Sequence, residues 1–167
     1  MDDIMIINEF LTTDECDEIM ELWHKTPFID RADKMGIWSY RVKWPVYPER
    51  ILEKIVDKRL EVSNMFFEPN LDIDNLNITM WRPGDSQPPH TDNGAHNEFP
   101  QRKYTSIIYI NDGYEGGNTF IPELNFSNKP RKGQLVSFPG IKYSHGVTEV
   151  KGGERYTNIC WLSSPKL

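Results

Sequence analysis

Residues 76–94 read LNITMWRPGDSQPPHTDNG, and the rest of the chain takes its meaning from this stretch. Leu76, Ile78 and Met80 alternate with Asn77, Thr79 and Trp81, the period of two that marks a half-buried strand. Pro88 and Pro89 follow. They argue for a strand end over a helix, because proline inside a helix removes a hydrogen bond and clashes with the preceding turn. On an extended backbone residues i and i+2 point to the same side, so His90 and Asp92 can reach one ion together.

Downstream the strand character continues. Residues 104–110, 119–121, 134–138, 145–150 and 155–162 are strand candidates, punctuated by Gly113, Gly116, Gly117, Gly133, Gly140, Gly152 and Gly153. Gly116 and Gly117 serve a tight turn and not a phosphate cradle, since no helix follows them. Upstream, residues 4–7 form a short apolar strand. Thr12 caps a helix and Glu15 completes a capping box, after which Cys16, Ile19, Met20 and Trp23 recur at helical spacing and face the core. A second helix starts near Pro48 and runs through Ile51, Leu52, Ile55, Val56 and Leu60. Residues 27–47 are rich in proline and aromatics without clean periodicity, and they read as a long ordered loop. Many short strands with glycine turns, after two helices, predict an α+β, mainly β fold. The architecture expected is a double-stranded β-helix (a cupin-like jelly roll) with the N-terminal helices packed on one sheet.

The length of 167 residues fits a single domain, 1–167. Residues 1–70 or so give helical support and a candidate lid, and the remainder the jelly-roll core. A hydrophobic fraction of 38%, with five Trp, seven Tyr and eight Phe, belongs to a folded protein. No apolar run approaches a membrane span, and the acidic start Met1-Asp2-Asp3 lacks a basic leader, so a cytoplasmic protein is expected, neither secreted nor in a membrane. A net charge of −6 disfavours nucleic acid as partner. Cys16 and Cys160 show no metal spacing and read as buried reduced thiols. His24 and His96 read as surface histidines.

His145, in SHGV, begins a strand that a jelly roll can bring back beside His90. Two imidazoles and one carboxylate cap one face of a metal ion and leave its other positions open, an arrangement that suits Fe(II) with a co-substrate and dioxygen. Arg155 heads a strand on which Arg155, Thr157, Ile159 and Trp161 share a face. A buried arginine is costly without an anion, and its planar fork suits a carboxylate.

The segments WRPGDSQPPHTDNG, RKYTSIIYIND, EGGNTFIP, KGQLVSFPG, SHGV and GGERY, in this order and spacing, resemble the Fe(II)- and 2-oxoglutarate-dependent dioxygenase superfamily, and within it the prolyl 4-hydroxylase-like branch. The likeness runs from about residue 6 to 162. It implies His90, Asp92 and His145 as iron ligands, and Arg155 and Tyr109 as partners of the distal carboxylate of 2-oxoglutarate. Trp81 stands where related hydroxylases often carry another co-substrate tyrosine; its indole N–H donates but cannot accept. Arg102 and Trp161 match substrate-side positions, and Gln87 replaces a substrate-side tyrosine. The residues of 28–47 that include Trp38, Tyr40, Trp44 and Tyr47 are the candidate lid.

The resemblance implies oxidative decarboxylation of 2-oxoglutarate to succinate and CO2 with hydroxylation of a C–H bond, by preference in a peptidyl proline, with ascorbate as a possible further requirement. Two other readings stand beside it. One keeps the cofactors but takes a free amino acid or small metabolite. The other is a non-catalytic, cupin-like metal-binding module holding zinc or nickel.

Overall fold

The computed structural model describes residues 3–26, 29–32, 38–43 and 45–165, with backbone alone for 29–32, 38–40 and 42–43. Strand β1 (Met5–Ile7) leads into helix α1 (Thr13–Lys25). The capping box is present: the Glu15 N–H donates to Thr12 Oγ1 at 3.2 Å, and the Thr12 N–H donates to the Glu15 carboxylate at 2.8 Å. Lys54 ion-pairs with the same carboxylate at 2.8 Å and ties α1 to the second helical segment. Burial pushes the Glu15 pKa up, but Lys54 and the Thr12 hydrogen bonds override it and hold it below its ordinary value.

The second helical segment begins at Glu49, with Pro48 as its cap, and continues six residues beyond Leu60. It comprises α2 (Glu49–Leu52), a π-helical stretch (Glu53–Lys58) and α3 (Arg59–Phe66). Cys16, Ile19 and Trp23 of α1, with Ile51 and Ile55, pack on Leu76, Ile78, Met80, Cys160 and Leu162. One polar thread crosses this apolar layer. The fully buried Arg59 donates to the Asn158 carbonyl and side-chain oxygens, and Asn158 donates to the Tyr47 hydroxyl.

The strands that follow are β4 (Asp72–Trp81), β5 (Gln87–His90), β6 (Arg102–Tyr109), β7 (Glu115–Gly116), β8 (Thr119–Ile121), β9 (Phe126–Asn128), β10 (Leu135–Phe138), β11 (His145–Val147), β12 (Val150–Lys151) and β13 (Arg155–Ser163). They build a jelly roll. A major sheet runs β1-β10-β6-β13-β4 and is extended at one edge by two more strands, β3 (Trp38–Lys43) and β2 (Ile29–Ala32); a minor sheet runs β5-β11-β8-β9. Parity sorts the major sheet: Leu76, Ile78, Met80, Cys160 and Leu162 face the helices, while Thr79, Trp81, Ile107, Arg155, Thr157, Ile159 and Trp161 line the opposite cavity.

Two expectations change. Residues 27–47 are not a loop throughout, because β2 and β3 form an antiparallel hairpin paired to β4, with Arg41 opposite Thr79. An edge hairpin needs no strict apolar alternation to pair, which is why periodicity missed it. Of the candidate lid, Phe28, Trp44 and the side chains of Trp38 and Tyr40 lie outside the described residues. Residues 145–150 also divide into β11 and β12, which pair with different partners.

Candidate metal and co-substrate site

His90 ends β5, and His145 begins β11 directly opposite it in the antiparallel register. The fold thus closes 55 residues of chain to set the two imidazole centres 4.6 Å apart. Asp92 is not on the strand. It sits in the turn just beyond β5, and its N–H donates to the Gly140 carbonyl at 2.9 Å. That bond swings the carboxylate toward β6, where the Thr105 hydroxyl donates a short hydrogen bond to Oδ2. Gly140 makes room, since a Cβ there would stand 2.5 Å from Asp92 Oδ2.

The ligating atoms of His90, Asp92 and His145 all lie within 4.8 Å of one another. His90 Nδ1 faces the Pro88 carbonyl at 3.1 Å and His145 Nδ1 faces the Tyr143 carbonyl at 3.2 Å. A carbonyl only accepts, so each Nδ1 carries the proton and each Nε2 turns its lone pair inward. Those lone pairs meet Asp92 at 3.5 Å and 3.2 Å. Three acceptors converging on one point repel unless a cation lies between them. Where no metal is bound, a proton on Nε2 serves as that cation. Burial alone would raise the Asp92 pKa, but the charge of His145 and hydrogen bonds from both imidazoles hold it well below the usual carboxylate range. Burial likewise opposes charging His145, and Asp92 overrides it and raises that pKa. A hard–borderline donor set of two imidazoles and one carboxylate fits Fe(II).

An inner chamber runs from this cluster to Arg155. Arg155 is 2% exposed and lies opposite Trp81 across β13 and β4. Its Nε donates to the Gly117 carbonyl at 2.9 Å and its Nη2 to Thr119 Oγ1 at 3.3 Å. Tyr109 shares that threonine through a 2.7 Å hydroxyl contact. The guanidinium stands 5.6 Å from the Trp81 ring centre and 5.5 Å from that of Tyr109. Among the described residues no carboxylate pairs with it, and Nη1 makes no hydrogen bond. A buried cation without an anion is strongly disfavoured, so the structural salt bridge that would explain Arg155 is missing and an anionic ligand is called for.

Beyond the ligands a broader outer cleft opens, lined by Arg102, Trp161, Gln87, Asn75 and Phe99 among others. Arg102 is not a solvated charge. Its Nε donates to Asp74 at 2.7 Å, and its guanidinium lies 3.9 Å from the Phe99 ring centre and 4.2 Å from that of Trp161. Gln87 points at the ligand itself, with its amide nitrogen 3.1 Å from His90 Nε2. Arg41, from β3, lines both chambers. Sequence reading passed over Thr105, Thr119, Arg41 and Asp74. For Thr105 there was a signal, since it shares parity with Ile107 and Tyr109 on β6.

The 2OG-Fe(II) oxygenase superfamily model matches residues 76–163, just over half of the chain. The chain belongs to this superfamily. Fe(II), 2-oxoglutarate and dioxygen are the metal, co-substrate and oxidant that membership implies. Human prolyl 3-hydroxylase 3 is 29% identical over 111 residues, which are 63% of this chain but 14% of that protein. The chain therefore spans a small part of the prolyl 3-hydroxylases it matches. A PKHD-type hydroxylase of Crocosphaera subtropica is 28% identical over 96% of this chain and 78% of its own length. The viral collagen prolyl hydroxylase of Paramecium Bursaria Chlorella virus-1 superposes with a TM-score of 0.78 at 22% identity, covering 98% of this chain and 96% of that one. A prolyl-4-hydroxylase of Pseudomonas putida gives 0.75 at 16% identity, covering 98% and 94%. At those identities the likeness establishes the shared jelly roll.

Proposed function

We propose that this protein is a 2-oxoglutarate-dependent dioxygenase that hydroxylates a C–H bond of a peptidyl proline, with release of succinate and CO2. The observation that carries the reading is a chamber with a two-His-one-carboxylate cluster at one end and, at the other, a buried guanidinium that no carboxylate among the described residues pairs with. His90, Asp92 and His145 would hold Fe(II), with the Pro88 and Tyr143 carbonyls fixing the imidazole tautomers and Thr105 fixing the carboxylate. Bound iron supplies the redox chemistry that couples 2-oxoglutarate and dioxygen to hydroxylation. Arg155 anchors the distal carboxylate of the keto acid, Tyr109 donates beside it, and Trp81 walls the chamber. Such remote binding orients the co-substrate far from the reacting bond.

Arg102, Trp161 and Gln87 form the substrate side. The breadth of the outer cleft favours a peptide over a free amino acid, and the names of the relatives favour proline. The β2–β3 hairpin acts as a cover, a role supported by Arg41 reaching both chambers. Ascorbate is the reductant that maintains the ferrous state. The 1–167 span acts as one domain. No helix of the described residues is long and apolar enough to cross a membrane. Two buried free thiols, Cys16 and Cys160, favour the reducing cytoplasm.

A succinate-release screen with Fe(II), 2-oxoglutarate and ascorbate tests this reading. Proline-containing peptides should stimulate release above the substrate-free rate, and free amino acids should not. Stimulation by free amino acids alone would overturn the peptide assignment.

A further inference from the structure

Tyr114, just before the Gly116–Gly117 turn, is 8% exposed, and among the described residues its buried hydroxyl lies beside Arg155 and has no acceptor for its proton. The ring packs with Trp81, Val147 and Val150, and Trp81 and Val147 also line the inner chamber. Arg155 lies alongside. Gly117 has a φ of +61°, and a Cβ added there would stand 2.9 Å from both Arg155 Cδ and Tyr114 Cε2. The turn thus holds the tyrosine ring and the arginine stem side by side at one end of the chamber.

Nothing in this packing needs the hydroxyl, since a phenylalanine ring would fill the same space. A buried polar group without a partner is a net loss to the folded state, and native proteins keep few of them without a use. Burial pushes the Tyr114 pKa up, and the charge and N–H groups of Arg155 offset this only in part; a guanidinium only donates, so the phenol stays protonated and keeps its O–H for an acceptor. Arg155 has meanwhile committed Nε to Gly117 and Nη2 to Thr119, and it leaves Nη1 for a ligand. A carboxylate arriving there has more lone pairs than that one nitrogen can satisfy.

We propose that Tyr114 is a co-substrate-binding residue whose O–H donates a hydrogen bond to the distal carboxylate of 2-oxoglutarate held against Arg155. This rests on the reading of Arg155 as the carboxylate anchor. The hydroxyl is then a group kept at a cost to the unliganded fold and satisfied only when the keto acid binds.

Calorimetric titration of Mn(II)-loaded wild type and Tyr114→Phe tests it. The two ligands are 2-oxoglutarate and 2-oxopentanoate, which lacks the distal carboxylate. The thermal midpoint of each protein without ligand is measured in parallel. The substitution should raise the Kd for 2-oxoglutarate about tenfold, the worth of one charge-assisted hydrogen bond, and leave 2-oxopentanoate unaffected. The unliganded variant should melt at the same temperature or higher. Unchanged 2-oxoglutarate affinity, an equal loss for both keto acids, or a lower melting temperature would each overturn the role of Tyr114. Wild-type protein that binds no 2-oxoglutarate would overturn the anchor reading of Arg155 as well, which separates the two failures.

Discussion

Replacing Thr105 with valine is predicted to weaken ferrous-ion binding by one to two orders of magnitude while leaving the fold in place. The side chains are nearly equal in volume, and Thr105 is buried on β6 with its hydroxyl given to Asp92 Oδ2. Without that donor, Oδ2 keeps only the His145 contact at 3.2 Å, and the carboxylate is free to rotate away from the two Nε2 atoms. A hydrogen bond to a charged acceptor contributes about 1.5–3 kcal/mol, or roughly 10- to 150-fold in an equilibrium constant. Partners one layer behind a metal ligand fall in a similar range, about 10–100-fold in affinity. Anaerobic competition for Fe(II) against a chelator of known strength measures the change, and Thr105→Ser, which keeps the hydroxyl, should recover most of the loss. Equal affinity in wild type and valine variant would refute the positioning argument. So would a serine variant as weak as the valine one.

Arg155→Met removes an unpaired buried charge, so the unliganded protein should melt at the same or a higher temperature while 2-oxoglutarate affinity falls by at least about 100-fold; calorimetry and thermal melts read both signs. Asn158→Ala leaves the backbone acceptor of the buried Arg59 guanidinium but removes its side-chain acceptor and the donor to the Tyr47 hydroxyl, so about 2 kcal/mol of stability, roughly 4–8 °C in Tm, should be lost in a thermal melt. Glu15→Gln tests the helix cap. The Glu15 pKa is lower in the folded state, so its contribution is present above the unfolded value of 4.5 and is lost as pH falls through the folded one. Unfolding free energies of the variant from urea titration should therefore lie below wild type at pH 7 by about 1 kcal/mol and converge with it well below pH 4.5.

Much of the architecture is legible because one face of each central strand is buried against helices. The alternation of Leu76, Ile78 and Met80 with Asn77, Thr79 and Trp81 fixes which side meets α1 and α2 and which meets the chamber. Thr12 and Glu15 mark the start of α1 by chemistry that acts over three residues, so a local reading suffices. The β2–β3 hairpin was hidden because strands at a sheet edge carry no strict periodicity.

Within the site, residue types that are rare in interiors stood out, namely His90, Asp92, His145 and Arg155. Thr105 and Thr119 did not, because threonine is an ordinary strand residue and its role depends on what another strand places against its hydroxyl. Arg102 shows the same limit in the other direction. Its pairing with Asp74, 28 residues away and on β4, exists only once β13 has joined β6 and β4 in one sheet. The i, i+2 spacing of His90 and Asp92 names the right neighbours, although Asp92 arrives from a turn pinned by Gly140 and not along the strand.

If one chamber binds ferrous iron at the His90–Asp92–His145 cluster together with 2-oxoglutarate anchored at Arg155, anaerobic visible spectroscopy will report it. Adding 2-oxoglutarate to Fe(II)-loaded wild type should produce a weak visible charge-transfer band that is absent from His90→Ala and Asp92→Ala. Absence of the band from iron-loaded wild type, or its persistence in either variant, would contradict the account.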